Sequence, residues 1–493
     1  MANQAVTAKK SNFWVINIIG LLLMFAFPAI VHPFGPVTEV GVAVIGVFLG
    51  VIFMSLFSDQ MFYVSLLGMA ALVYHGYLNG TSAAAAFLGS TTVTQLIFVT
   101  ALCAALRSTG AMDVLAKKLL TAKALKGRPL LFTTVFLLTG YLISMIVTFV
   151  PTCILMYAVL DSICDVAGYD KDDSFRKHML LGLYISCMGA YAVPFMGIQM
   201  TSIAMQRTVL EGFGLVFGEG TYFLTNVVVF VVFLAVYAVL MRYVFRCNFE
   251  PLRTMDVTKS AKLQSTPDHI SKEGWIYLAA FLFCIVYNLC CSVVPKSLPI
   301  YKTVFGFGSP WIWLLGVAVL TVIRVDGKRL MSGNDMLKNG VMWNLVCLVG
   351  MFSILGSAMT NEEIGIRAWL IEIIGPLFSN ASLPVLIIMV VVIVTIATNV
   401  VNGLPCVLAT TAIVMPFVCQ MALDSGINPS VMGTLINVCA NLAFLTYSGS
   451  VFASLILSRE EITQKFMWTK GLVTMVIFMV VATATGIGLS YIL

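Results

Sequence analysis

The residues best suited to chemistry in this chain interrupt two uncharged apolar stretches. We call them the first tip, residues 148–152 (Thr-Phe-Val-Pro-Thr), and the second tip, residues 398–405 (Thr-Asn-Val-Val-Asn-Gly-Leu-Pro). The hydroxyl, amide and backbone oxygens of these segments can bind a cation without titrating. Interrupted apolar segments at matching places in two halves of a chain indicate a solute-binding site within a membrane.

Each tip carries a proline, Pro151 in the first and Pro405 in the second. Proline suits the first turn of a helix, where its missing N–H has no partner. The prolines therefore predict that each tip opens a helix whose next N–H groups, such as those of Thr152 and Cys153, are unpaired. Unpaired donors and the positive end of the helix dipole favour an anion. Two proline kinks satisfied by neighbouring hydroxyls are the alternative.

Two later apolar segments also contain glycine or polar residues near their middles. We call them the first broken span, residues 179–206, and the second broken span, residues 431–457. Gln199, Asn437 and Asn441 flank their breaks. The predicted substrate site is Pro151, Thr152, Cys153, Thr201, Asn402, Gly403, Pro405 and Ser448. The predicted sodium ligands lie near Thr148, Thr152, Gly189, Gly197, Thr398, Asn399, Asn402, Thr446 and Gly449. Packing of close helices selects small residues too, and is the alternative.

Composition places the chain in a membrane. Of its 493 residues, 60% are hydrophobic and 10% are charged, which excludes a soluble enzyme and leaves no basis for a nucleic-acid partner. Apolar runs near twenty residues can each cross the bilayer as a helix. No charged or metal-binding cluster marks a membrane enzyme, and no cofactor is expected. The twelve cysteines fall mostly within apolar runs and are predicted to be small core residues.

The predicted fold is an all-α polytopic membrane protein with about eleven transmembrane helices and two re-entrant hairpins. The second interrupted stretch, residues 383–423, could equally be two full spans joined by a turn, which would leave the topology unchanged. The spans are residues 13–32, 40–57, 61–78, 83–106, 179–206, 221–245, 274–294, 309–323, 341–359, 431–457 and 468–493. With the amino terminus inside and the carboxyl terminus outside, all but four of the 28 Lys and Arg face inward, as the positive-inside rule requires; the four are Arg207, Lys296, Lys302 and Arg367. Short loops suggest a bacterial inner membrane.

The chain also reads as two halves of similar plan in inverted orientation. Each half has a span, an amphipathic segment, an interrupted hairpin and a broken span. We expect scaffold spans in residues 1–82, the transport elements of the first repeat in 83–212, and further scaffold spans in 213–338 with a cytoplasmic loop at 247–273. The transport elements of the second repeat would occupy 339–459, and the last scaffold span 460–493.

Acidic residues and histidines are confined to loops, interfacial segments and span ends. A proton-coupled transporter usually needs a carboxylate or histidine at membrane depth. Sodium coupling is therefore the expectation. An exporter or antiporter, for arsenite or for sodium against protons, is the first alternative, and a channel is another.

These segments resemble the ion transporter superfamily, and most of all its divalent anion:sodium symporter family. The likeness lies in residues 95–120 and 343–374, in the two tips, and in residues 182–201 and 434–450. The chain departs from that family's Ser-Asn-Thr hallmark, because only Thr152 and Asn402 match it. The second tip is also similar to the Asn-x-x-Pro tip of arsenite permeases.

The resemblance implies a homodimer in which a transport domain slides through a scaffold in an elevator movement. It also implies sodium at each tip, against the broken span, and a carboxylate or sulfate between the tips. The resulting expectation is sodium-driven uptake of a small dianion across the lipid bilayer. Replacing Asn402 by leucine should then abolish uptake without loss of folded protein.

Overall fold

Helices make up nearly all of the regular structure. The computed structural model describes residues 2–57, 61–195, 199–254, 260–294, 298–299, 301–306, 309–378, 382–400, 403–446 and 450–493. The helices of the first half are α1 (Ala2–Phe25), α2 (Phe27–Ile30), α3 (Glu39–Phe57), α4 (Met61–Tyr74), α5 (Gly80–Leu88), α6 (Thr91–Ser108), α7 (Ala111–Leu120), α8 (Pro129–Val147), α9 (Phe149–Ala167), α10 (Ser174–Ala190), α11 (Met200–Gly212) and α12 (Glu219–Tyr243).

The second half of the chain is also mostly helical. Its helices are α13 (Glu250–Thr254), α14 (Ala261–Gln264), α15 (Lys272–Val293), α16 (Ser309–Val322), α17 (Gly333–Asp335), α18 (Trp343–Thr360), α19 (Ile366–Phe378), α20 (Leu383–Val400), α21 (Gly403–Ser425), α22 (Pro429–Ala440), α23 (Ser454–Leu457), α24 (Gln464–Phe466) and α25 (Leu472–Ile492). A short antiparallel hairpin joins β1 (Arg324–Val325) to β2 (Lys328–Arg329).

Helix length and composition fit a membrane. Within the described ranges, seven helical segments are long and apolar enough to cross one: α6, α8, α9, α12, α20, α21 and Gln464–Ile492. A pair bent by 73°, Gly333–Gly340 and Trp343–Ala358, makes an eighth if it is one span. The mostly helical, multi-pass fold is thus confirmed. The count of eleven spans and the re-entrant course of the hairpins stay predictions.

Several helices expose apolar faces. Val231, Val232 and Val239 of α12 and Val476 and Val480 of α25 are all exposed. Aliphatic side chains exposed along such long helices fit contact with lipid chains rather than water. Ten of the twelve cysteines are buried, as predicted for small core residues.

The segments predicted to lie inside contact one another at one end of the bundle. Ion pairs and hydrogen bonds join them: Lys117 with Asp268, Lys171 with Glu460, Lys272 with Asp326, and Ser162 with Ser260. A denser cluster ties α9 and α10 to the chain after α23, since Asp161 accepts from both Arg176 and Arg459 at 2.8 Å. The two halves of the chain are therefore bonded together at this end.

The segments predicted to lie outside meet at the other end. Their contacts include Arg367 over the Phe213 ring at 3.7 Å, Gly218 N–H to Ser430 Oγ at 2.9 Å, and Asn428 Nδ2 to Thr221 Oγ1 at 3.3 Å. Helix α12 runs from one group to the other with 25 residues, a length of roughly 37 Å. This sorting supports the predicted topology, while which end faces the cytoplasm stays a prediction.

One predicted span needs correction. Residues 83–106 do not form a single helix, because the chain is divided at Gly89 and Ser90 into α5 and α6. Ser90 has an extended backbone (φ −60°, ψ 123°), and its hydroxyl lies 3.1 Å from that of Ser353 on α18. A glycine followed by a serine favours a helix end over helix continuation.

Candidate functional site

The first tip joins two antiparallel helices that both pack on α10. The contacts on α8 are Gly182 with Leu137 and Cys187 with Ser144, and those on α9 are Leu180 with Tyr157 and Tyr184 with Phe149. Going along α10 from its start to its end, the contacting residues have rising numbers on α8 and falling numbers on α9. The chain therefore reverses direction between α8 and α9. The reversal falls at Thr148, whose φ of 90° is rare for a β-branched residue. Such backbone conformations are typical of functional sites.

The turn lies earlier than the sequence predicted. Helix α9 begins at Phe149, so Pro151 is its third residue rather than its first. The N–H groups without an intrahelical acceptor are therefore those of Phe149 and Val150, and not those of Thr152 and Cys153. The hydroxyl of Thr152 donates to the Thr148 carbonyl at 2.8 Å. Proline is tolerated throughout the first turn because no intrahelical bond is lost there.

The second tip repeats this arrangement in the other half. Helices α20 and α21 both pack on α22, the first half of the second broken span. The hydroxyl of Thr398 on α20 donates to the Ala440 carbonyl at 2.7 Å. A Cβ added to Gly403, the first described residue of α21, would lie 2.7 Å from the same carbonyl. Pro405 is the third described residue of α21. Each tip thus lies beside the last turn of the helix that precedes a break.

A matched hydrogen bond relates the two halves. Ser144, near the end of α8, donates to the Cys187 carbonyl at 2.8 Å across 43 residues. Thr398, near the end of α20, donates to the Ala440 carbonyl across 42 residues. In both halves the first arm of the hairpin is therefore fastened by a hydroxyl to the last turn of the broken span. This correspondence supports the predicted repeat.

Asn399 organises the unwound chain after α22. Its oxygen accepts from the N–H groups of Phe444 and Leu445 at 3.1 and 3.0 Å. Its amide group donates to the carbonyls of Leu442 and Thr395, both at 2.8 Å. These four hydrogen bonds use both ends of the side-chain amide that the sequence analysis predicted to bind sodium.

The two broken spans contact each other at their breaks. Gln199, at the start of α11, donates its amide to Asn441, which begins the second break. Asn441 in turn donates to the Met188 carbonyl at 3.4 Å. The hydroxyl of Tyr184 donates to the Ala443 carbonyl at 3.1 Å.

Both tips reach this junction. The Phe149 ring of the first tip lies 5.3 Å from the Phe452 ring, just beyond the second break. At the second tip, the Thr446 hydroxyl donates to the Asn399 carbonyl. The hairpins, entering from different halves of the chain, thus converge on the contact between the two breaks.

Buried oxygen atoms without hydrogen-bond partners among the described residues lie along α11. They belong to Gln199, which is 2% exposed, and to Gln206, which is fully buried. Burying an unpaired polar group costs about 1–3 kcal/mol. A cation, a polar solute or water next to these oxygens would offset that cost. The site thus offers neutral acceptors as well as helix N-termini.

The remaining predicted residues that the structure describes lie in or near this region. Thr201 is buried on α11, and Cys153 is buried on α9. The Gly189 carbonyl accepts from Asn226 at 3.3 Å. Gly197, Asn402, Ser448 and Gly449 lie outside the described residues, so their predicted roles stay predictions. No cluster of three His, Cys, Asp or Glu residues suited to a metal occurs within the described ranges.

A polar stripe on α11 was only partly predicted, because the sequence analysis named Gln199 but not Ser202 or Gln206. Ser202 lies 2.9 Å from the Thr411 hydroxyl on α21. Gln206 donates to Ser202 and to the Gly433 carbonyl of α22 at 3.2 and 3.1 Å. Gln199, Ser202 and Gln206 have the i, i+3, i+7 spacing of one helix face. That spacing within an apolar segment was the available signal.

A helical bundle with paired hairpins against paired broken spans defines a membrane transporter rather than an enzyme. The model of the citrate transporter family, CitMHS, matches residues 60–325, more than half of the chain. The protein therefore belongs to the citrate transporter family, within the ion transporter superfamily. The expected superfamily is confirmed, and the branch that the family model names is the citrate transporters.

Solved transporter structures share the fold. MtrF of Neisseria gonorrhoeae, described as illuminating a class of antimetabolite efflux pumps, aligns with a TM-score of 0.57 at 16% identity, over 85% of this chain and 84% of MtrF. The YdaH transporter of Alcanivorax borkumensis, described as having an unusual topology, aligns with a TM-score of 0.56 at 15% identity, over 85% of this chain and 89% of YdaH. No curated protein matches the chain.

Proposed function

We propose that the protein is a secondary transporter that takes up a small organic anion with two or more carboxylates, driven by sodium. The observation that carries the proposal is the convergence of both hairpin tips on the contact between the two broken spans. Helix N-termini at each tip supply donors and positive dipole ends for carboxylates. The family's description as citrate transporters favours citrate or a similar anion.

Sodium coupling rests on the neutral character of the site. Its acceptors are the amide oxygens of Gln199 and Gln206, the hydroxyls of the tips and the carbonyls of the breaks. Unwound carbonyls and helix C-terminal ends are typical sodium ligands in transporters. In the described part of the chain, the buried acids Glu219 and Glu461 are ion-paired with arginines. Because an ion pair stabilises the charged carboxylate, neither residue is suited to carry a proton.

Asn399 is, in this proposal, a positioning residue. Its side chain holds the unwound segment at 442–445 in place, so that the carbonyls of the break can face sodium. Thr152, Asn402 and the N–H groups at the two helix starts would hold the substrate. Elevator movement and dimer formation follow from the superfamily resemblance and complete the proposal.

Transport in sealed proteoliposomes tests the function. Purified protein would be reconstituted, and uptake of radiolabelled citrate, succinate and sulfate measured with a sodium gradient or a pH gradient imposed separately. We expect uptake of a carboxylate to require inward sodium, and to be unaffected by the pH gradient at constant substrate charge. Uptake driven by the pH gradient alone would refute sodium coupling. Export of the substrate against its concentration gradient, in exchange for a cation, would instead show that the protein is an antiporter.

A further inference from the structure

A basic cavity lies at the end of the bundle that holds most of the lysines and arginines, away from the tips. It has a volume of about 720 Å³ and is lined by the start of α8, the end of α12 and the start of α13. Its charged lining residues are Arg128, Arg242, Arg246, Arg253 and Glu250.

The guanidinium groups of this cavity carry more positive charge than their surroundings neutralise. Arg253 lies 4.0 Å from Glu250. Arg128, Arg242 and Arg246 have no ion-pair partner among the described residues, and all three are exposed. One guanidinium group can bind two phosphate oxygens at once, and it keeps its charge at any physiological pH. The lining therefore fits a phosphate-bearing anion.

One of these arginines, Arg246, has a backbone conformation that is energetically unfavourable for a residue with a side chain. Arg246 has a φ of 51°, in the left-handed region. Glycine is the usual residue in that conformation just after a helix, because a side chain there costs roughly 1 kcal/mol. An arginine at this position, with its side chain lining the cavity, indicates a use for the guanidinium.

Apolar groups flank the same cavity. Leu131 belongs to its lining and is 39% exposed, and Tyr243 and Val244 at the end of α12 are 66% and 55% exposed. Aromatic residues at a helix end favour the membrane interface. A basic pocket with exposed apolar flanks suits a ligand with an anionic head and hydrocarbon chains better than free phosphate.

We propose that this cavity binds the head group of an anionic phospholipid, with its phosphates on Arg128, Arg242 and Arg246 and its acyl chains along Leu131 and Val244. The site joins α8, the first arm of the first hairpin, to α12, a span of the predicted scaffold. Lipid binding there is independent of the nature of the transported solute.

The test compares binding of cardiolipin, phosphatidylcholine and inorganic phosphate to the full-length protein in detergent by native mass spectrometry. The variant R128Q/R242Q/R246Q removes three charges from the cavity. A matched control, R324Q/K328Q/R329Q, removes three exposed charges at the β1–β2 hairpin. We expect the cavity variant to bind cardiolipin on the order of 100-fold more weakly, since each arginine near a membrane surface contributes roughly fivefold. The control should change affinity by less than about threefold.

Two results would overturn the proposal. Equal weakening in both variants would show that general surface charge attracts the lipid, and phosphate binding as tight as cardiolipin would assign the cavity to a soluble anion. The single variant R128Q tests the same site should the triple variant not fold, and it should bind cardiolipin roughly fivefold more weakly with phosphatidylcholine binding unchanged.

Discussion

Gln199 provides the sharpest test of the transport site. Its amide group donates to Asn441 across the two breaks, while its oxygen is buried without a partner among the described residues. We predict that Gln199→Leu changes the free energy of unfolding by no more than about 2 kcal/mol. The lost hydrogen bond and the acceptor left on Asn441 cost about 1–3 kcal/mol, and removing the unpaired oxygen recovers a similar amount.

The effect on transport should be much larger. A hydrogen bond or ligand contact to a charged group contributes about 1.5–3 kcal/mol, which corresponds to roughly a 10- to 150-fold change in affinity. We therefore expect the half-saturating concentration of sodium to rise by that factor in proteoliposome uptake, with a smaller change for the substrate. The reverse pattern would assign the oxygen to the substrate instead.

Gln95→Leu is the matched control. Gln95 is also fully buried, and neither end of its amide has a hydrogen-bond partner among the described residues, but it lies on α6 rather than at the breaks. We expect this variant to keep its uptake kinetics. Unchanged sodium and substrate dependence in Gln199→Leu, or equal loss in both variants, would refute the reasoning that places the ligand at the junction of the breaks.

Two further variants probe how the site is held. Asn399→Ala leaves two buried N–H groups without an acceptor and should lower stability by about 2–6 kcal/mol, visible as a lower unfolding midpoint of the purified protein; an unchanged midpoint would contradict its positioning role. Gly189→Ala places a Cβ against the Phe230 ring, which would have to move, and should cost about 1–3 kcal/mol. Gly488→Ala, whose Cβ meets no neighbouring atom, should leave the midpoint unchanged or raise it.

Local chemistry explains which parts of the site were predictable. The tips and breaks stood out because polar and glycine residues are costly within a membrane helix, whatever they contact. Proline located each hairpin turn only to within one helical turn, because it is accepted anywhere in the first turn. The reversal therefore falls at Thr148 rather than beside Pro151.

Long-range hydrogen bonds could not be predicted from the sequence. Asn399 looked like a sodium ligand because an amide at a tip can serve either as a ligand or as a support. Only the position of the chain 45 residues later shows that its oxygen accepts from Phe444. The stripe of Gln199, Ser202 and Gln206 was visible as a periodic pattern, yet its partners on α21 and α22 depend on the packing of the two halves.

The bonding pattern also bears on how such a site could move. Hydroxyl groups fasten each hairpin to the broken span of its own half, at Ser144 and Thr398. The broken spans are joined across the halves, through Gln199 with Asn441 and through Tyr184. These four elements thus form one connected polar network in a low-dielectric interior, where breaking several buried hydrogen bonds at once is costly. Helix α12 is hydrogen-bonded to the same elements, through Asn226 with the Gly189 carbonyl and through Gly218 just before α12 with Ser430. Any movement that exposes the site to the two sides in turn should therefore carry both hairpins, both broken spans and α12 together. Joint movement of these elements is compatible with the proposed elevator movement, whereas a rocking movement that separated the two halves would have to break the junction in every cycle.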